Sequence, residues 1–172
     1  MHTQRTKILT IRRLLLAAVV IIGALVQNSA LSVGGIQICI LLPLTVIIAM
    51  FEKELAGILY GILAGCLWDI SATTADGMKA LFLALTGCAC GLLVRYIMRN
   101  NLLSALVLCG AASIVFNVLH WIIYVIPNAE GMFRALFLFY IPQILLSILA
   151  VIPLYFLLRA LEKKYKVAEE AK

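Results

Sequence analysis

Residues 55–70 read LAGILYGILAGCLWDI, an apolar run in which Gly57, Gly61 and Gly65 recur every four residues and Asp69 follows at the same step. Four residues of an α-helix advance by about 400°, so these positions form one slowly drifting stripe on a helix face. Glycine removes the side chain, and a stripe of it lets two helix backbones approach closely, a common means of helix association in membranes. The rest of the run is apolar on every side, which in a helix means burial in protein or lipid. The stretch therefore predicts a membrane span with one face packed on protein.

The remainder of the chain agrees with that reading. Of its 172 residues 65% are hydrophobic and 13% charged, too little polar surface to cover a water-soluble domain of this length. A spanning helix needs roughly 20 mostly apolar residues, which leaves room for about six spans and excludes a sizeable extramembrane catalytic domain. Apolar runs broken by charge, Gly or Pro place spans near Leu14–Val33, Ile36–Met50, Leu55–Ile70, Gly77–Val94, Leu102–Ile126 and Ala135–Leu158. The second and third are short, which implies local thinning or snorkelling at their ends. A β-barrel is excluded because its strands would alternate in polarity over roughly 10 residues. The predicted class is an all-α integral membrane protein, one membrane domain over residues 1–172 built as a bundle of six transmembrane helices. The first run is expected to be retained, because Gln27, Asn28 and Ser29 after it offer no small-residue cleavage site.

Charge sets the expected orientation. With the N-terminus inside, 12 of the 14 Lys and Arg residues fall on the cytoplasmic side, and only Lys79 and Arg134 on the other. Positive-inside asymmetry then puts both termini in the cytoplasm of a plasma-membrane protein, with 159–172 as a short basic tail extending the last helix. The +6 charge is thereby a membrane signature, and nucleic acid is not an expected partner. Trp68, Trp121 and Tyr124 are expected at the outer interface as anchoring aromatics.

Two sets of residues are candidates for function. The first is the glycine stripe Gly57, Gly61 and Gly65 with Asp69, joined by Gly87 and Gly91 on the fourth run. Such faces pack helices within one chain or dock a partner's helix. Asp69 is costly in lipid and must turn inward, pair, or sit at headgroup level; accepting hydrogen bonds from amides of the Ser71–Gly77 turn is one expected role. In the following loop Thr73, Thr74 and Asp76 are expected helix N-caps, and Gly77 permits tight entry into the fourth span. The second set is Ser113, Asn117, His120 and Tyr124, spaced by four, three and four along the fifth run, which reads as interhelical hydrogen bonding or as the wall of a polar pocket. Pro43, Pro142 and Pro153 are expected to kink their spans, and the five cysteines to act as small packing residues. The pattern contains no P-loop, HExxH or paired-carboxylate constellation, so neither an enzyme, a cofactor nor a metal is expected.

Gly61-Ile-Leu-Ala-Gly65-Cys-Leu-Trp-Asp69-Ile70, a short loop, Gly77-Met-Lys-Ala80-Leu and the glycine-bearing fourth run resemble the core of the rod shape-determining protein MreD family. Length, six spans, internal termini and the early Gln27-Asn-Ser break are also similar to that family. The sequence departs where the family often has Pro-Asn at the start of the second span, since Ile36-Gln37 stands there. The resemblance implies a non-enzymatic scaffold of the bacterial cell-elongation machinery. Its implied partners are a single-span MreC-like protein and, through it, an MreB-like filament and the peptidoglycan polymerase–transpeptidase pair. Gly61, Gly65, Asp69 and Gly77 match the motif and are implied as structural determinants. The family is also similar in size and span count to the S components of energy-coupling-factor vitamin transporters, an alternative in which Asn117, His120, Tyr124 and Asp69 would line a ligand pocket. Against it, Ala17 and Ala18 are followed four residues on by Ile21 and Ile22, not by the alanines of an AxxxA spacing.

Overall fold

A computed structural model describes residues 2–30, 32–33, 36–37, 39–52, 54–71, 77–98, 100–125 and 141–170. Six helices appear among them: α1 (His2–Ala30), α2 (Leu41–Glu52), α3 (Glu54–Ser71), α4 (Met78–Tyr96), α5 (Leu102–His120), prolonged by a π-helical turn Trp121–Val125, and α6 (Ile141–Glu170). Thr10–Gln27, Met78–Tyr96, Leu102–Ile123 and Ile141–Lys163 are long and apolar enough to cross a membrane. The all-α membrane class is therefore realised. The only other regular element among the described residues is an antiparallel ribbon of β1 (Ser32–Val33) and β2 (Ile36–Gln37), pairing Ser32 with Gln37 and Val33 with Ile36.

That ribbon corrects two expected boundaries. The first helix ends at Ala30, not Val33, and the second begins at Leu41, not Ile36. Hydropathy is blind to the difference, because Val33 and Ile36 are as apolar in a strand as in a helix; β-branched residues flanking two glycines in sequence favour the extended state. The start of the expected sixth span, at Ala135, lies outside the described residues.

Helix α2 is the centre of the bundle. Every residue from Leu41 to Met50 is buried, and α2 packs against each of the other five helices. Its 12 residues span about 18 Å, well short of a hydrocarbon core of about 30 Å, so burial inside the protein accounts for its all-round apolarity. Both of its ends are satisfied by side chains from elsewhere. Gln27 Oε1 on α1 accepts from the amides of Ile40 and Leu41 at 2.9 and 3.0 Å, and Asn100 Nδ2 donates to the Met50 carbonyl at 3.3 Å. Helix ends leave backbone groups without intrahelical partners, and away from water each orphan costs several kcal/mol, so a short internal helix requires caps of this kind.

The outward faces belong to the longer helices. Leu14 and Leu25 on α1, Leu55 and Leu59 on α3, Leu81 and Leu85 on α4, Leu103 on α5, and Leu145 and Leu149 on α6 are all more than 60% exposed. Exposed apolar surface on this scale has lipid as its natural solvent. Near the ends of α2 and α3, Arg12 Nε pairs with Glu52 at 2.6 Å, Arg95 pairs with Glu54, and the Tyr60 hydroxyl donates to the Arg13 carbonyl at 3.0 Å. The prolines act less uniformly than expected. Pro43 and Pro142 sit in the first turns of α2 and α6, where no intrahelical amide bond is lost, and Pro153 is the interior one.

Candidate functional site

The glycine stripe lies at the contact between α3 and α4, the most extensive helix pair in the bundle. A Cβ placed on Gly57 would stand 2.6 Å from the Gly87 carbonyl oxygen and 2.7 Å from Ala49 Cβ; one on Gly61 would stand 2.5 Å from the Leu83 oxygen. On Gly65 it would overlap Ala80 Cα, on Gly87 the Gly57 oxygen, and on Gly91 it would stand 2.8 Å from Glu54 Cα. Carbon atoms rest at about 3.5–4.0 Å, so no residue with a side chain fits at these five positions without moving a backbone. The face that the sequence offered either to this chain or to a partner is occupied within the chain.

Asp69 closes this contact at one end. Its Oδ2 accepts from the Ala80 amide at 3.1 Å, and its Oδ1 lies 3.6 Å from Lys79 Nζ. Ala80 is the third residue of α4, so the carboxylate of one helix caps the N-terminus of the next, where the helix dipole favours negative charge. Gly77 occupies the N-cap position in the left-handed region (φ 67°) with no side-chain cap bond. The expected caps Thr73, Thr74 and Asp76 lie outside the described residues, and of the Ser71–Gly77 turn expected to bind Asp69 only Ser71 and Gly77 lie within them. The position that a local N-cap would fill is a glycine, and a carboxylate from α3 reaches the first turn instead. Lys79 also sits 5.7 Å above the Trp68 ring, which places both signs of charge beside one aromatic.

Trp68 departs from its expected place at the lipid interface. It is buried, its ring 5.2 Å from that of Phe116, which is in turn 5.1 Å from Phe82 and 6.2 Å from His120. These aromatics hold α3, α4 and α5 together beside the Asp69 cap. The polar stripe of α5 runs along the same stretch. Ser113 and Asn117 are buried, and Asn117 Nδ2 donates to the Ser113 carbonyl at 2.8 Å, within its own helix. His120 is half-buried against Phe116. α-Helical spacing stops there: Tyr124 falls in the π-helical turn, closed i to i+5, and its side chain lies outside the described residues. The cysteines are also heterogeneous, with Cys39, Cys90 and Cys109 buried, Cys88 half-buried and Cys66 exposed.

Sequence reasoning passed over three side chains that position this assembly: Gln27 and Asn100, which cap α2, and Phe116, which joins the aromatics. Gln27 carried a signal, being polar beside an apolar run; Phe116 carried none, since any buried helix contains such residues.

The geometry is that of a tightly fitted helical hairpin in which a side chain of α3 caps the N-terminus of α4. No curated protein and no solved structure matches the chain. The pattern described as rod shape-determining protein MreD matches residues 6–165, nearly the whole length, and the chain belongs to that family, with a role in rod shape determination.

Proposed function

We propose that this family member works without catalytic chemistry, as a membrane scaffold of the cell-elongation machinery that docks an MreC-like single-span protein. Through that partner it meets an MreB-like filament and the peptidoglycan polymerase–transpeptidase pair. In this reading the chain is a single plasma-membrane domain of six passes with both termini in the cytoplasm, the second pass being made inside the protein by the short helix α2. The observation that supports the reading is the inward use of its informative residues. The glycines of α3 and α4 fit the two helices together, and Gln27 and Asp69 cap the helices that follow them. Among the described residues the outward faces of the long helices are largely apolar, a surface suited to meeting another membrane helix.

Photo-crosslinkers placed singly at Leu59, Leu85 and Leu149, outward positions on three helices, test it in the native host. The expected result is capture of one single-span protein from one face and not the others, with abnormal cell width when Gly65→Leu disrupts the bundle. Equal recovery from all faces, or normal width with Gly65→Leu, refutes the scaffold.

A further inference from the structure

The outer helices of this bundle do not share one apolar length. On α1 the polar end groups Arg12 and Gln27 stand fifteen residues apart, as do Glu54 and Asp69 on α3, and Arg95 and the capped Ala80 on α4. Each interval rises about 22 Å, and tilting a helix from the membrane normal only lessens the depth it covers. The exposed apolar side chains keep to the same limits, running from Ile11 to Val26, from Leu55 to Ile70 and from Leu81 to Tyr96. On α5 they run from Leu103 to Ile123, about 30 Å, and the apolar span of α6 has 23 residues against 18 for that of α1. Helix α1 packs on α3 and α3 on α4, while α5 packs on α6. The short helices therefore lie side by side on one side of the protein and the long ones on the other.

We propose that the side formed by α1, α3 and α4 thins the bilayer that meets it, and that its partner is a shell of lipid with shorter acyl chains than the lipid lining α5 and α6. A hydrocarbon core is about 30 Å thick, so this side falls short by about 8 Å. A short span meets such a deficit by thinning the bilayer, by snorkelling of its end residues or by oligomerising. Snorkelling needs long side chains that reach outward, and those at these ends are engaged within the protein. Arg12 pairs with Glu52 at 2.6 Å, Arg95 pairs with Glu54, and the Lys79 ammonium lies 3.6 Å from Asp69 and above the Trp68 ring. Gln27 and Asp69 are short, and their oxygens accept from the backbone amides of Leu41 and Ala80. Sinking this side into a bilayer of full thickness would bring charged groups into hydrocarbon, which is costly for each of them. Compressing the lipid costs less, because the cost per ångström of mismatch is modest. With α5 at full length the thinning is one-sided.

The test places an environment-sensitive fluorescent amino acid singly at Leu55, Ile70, Leu103 and Ile123, outward positions at the two ends of α3 and of α5. The full chain is reconstituted in phosphatidylcholine vesicles of increasing acyl length, and probe depth is read by quenching with brominated lipid. In a bilayer of about 30 Å all four probes are expected at headgroup depth, and the two on α3 are expected to stay there as the chains lengthen. Probes at mid-helix, Ile62 on α3 and Val115 on α5, report lipid choice in mixtures of short and long chains. The expected result is about a threefold preference for the short chain at Ile62 and none at Val115. Leu59, also outward on α3, replaces Ile62 if that probe lowers the melting temperature. A Leu55 or Ile70 probe that sinks about 4 Å or more into hydrocarbon, or equal lipid choice on the two sides, overturns the proposal. So do α3 probes that brominated lipid fails to reach while those on α5 are quenched, since a second copy then covers the short side.

Discussion

Adding one methyl group at Gly65 is the sharpest perturbation the α3–α4 hairpin admits. The new Cβ of Gly65→Ala would overlap Ala80 Cα and stand 2.7 Å from its amide nitrogen and 2.9 Å from the Lys79 carbonyl oxygen. All of these are backbone atoms of α4, so no rotamer change relieves the contact. To regain the usual 3.5–4.0 Å, the helices must part by about 1.5 Å at this point. Overpacking of this kind costs about 1–3 kcal/mol. The same movement stretches the 3.1 Å bond from the Ala80 amide to Asp69, a hydrogen bond to a charged group worth about 1.5–3 kcal/mol. Helix propensity returns about 1 kcal/mol for replacing glycine by alanine, which leaves a net loss of about 1.5–5 kcal/mol. The control is Gly23→Ala on α1, whose Cβ would meet only side-chain tips, Leu44 Cδ2 at 3.2 Å and Ile40 Cγ2 at 4.0 Å, and which is expected to be near neutral. Reversible unfolding in mixed micelles measures both. The two losses at Gly65 share one bond, so Gly65→Ala and Asp69→Leu are expected to be less than additive by at least about 0.5 kcal/mol. Equal stability of the Gly65→Ala and Gly23→Ala proteins, or strict additivity with Asp69→Leu, refutes the reasoning.

Other substitutions probe separate parts of the bundle. Gln27→Leu removes the acceptor for the Ile40 and Leu41 amides and is expected to lower stability by about 1–3 kcal/mol, with faster hydrogen exchange at Leu41 as its local readout. Phe116→Ala empties the centre of the aromatic group formed with Trp68 and Phe82; the expected loss is about 3–5 kcal/mol, accompanied by a red-shifted tryptophan emission. Arg95→Gln breaks an ion pair whose basic partner is 56% exposed and is expected to change unfolding stability by no more than about 1 kcal/mol. Gly77→Ala meets nothing within 4 Å, but its φ is +67°. It is expected to lose about 1–2 kcal/mol through backbone strain alone, part of which Gly77→Asn recovers.

Much of the site was already legible in residues 55–70. A four-residue glycine period has few uses other than close helix packing, and an acidic residue at its end must find a donor. The identity of the facing surface was not legible, because glycine makes room without choosing what enters it. The fit of Gly57 to Gly87, or Gly65 to Ala80, follows from the antiparallel register of α3 and α4. The aromatic reading failed at Trp68 for a similar reason: hydropathy ranks tryptophan as interfacial on average, whereas here Phe116 and Phe82 enclose it.

The composition of the chain settled its solvent, since 65% hydrophobic residues leave too little polar surface to face water, and the runs of apolar residues settled that it is helical. These properties follow from the free energy of transferring each residue into lipid, which is local and additive along the chain. The place of each helix was decided only in three dimensions. Leu41–Met50 is apolar in the same way as the lipid-facing helices, yet it is sealed inside the other five with Gln27 at one end and Asn100 at the other. Lipid and protein interior are nearly equivalent to an apolar side chain, so hydropathy cannot separate them. Helix length, capping by distant side chains and close backbone contact can, and each of these is a property of the folded whole.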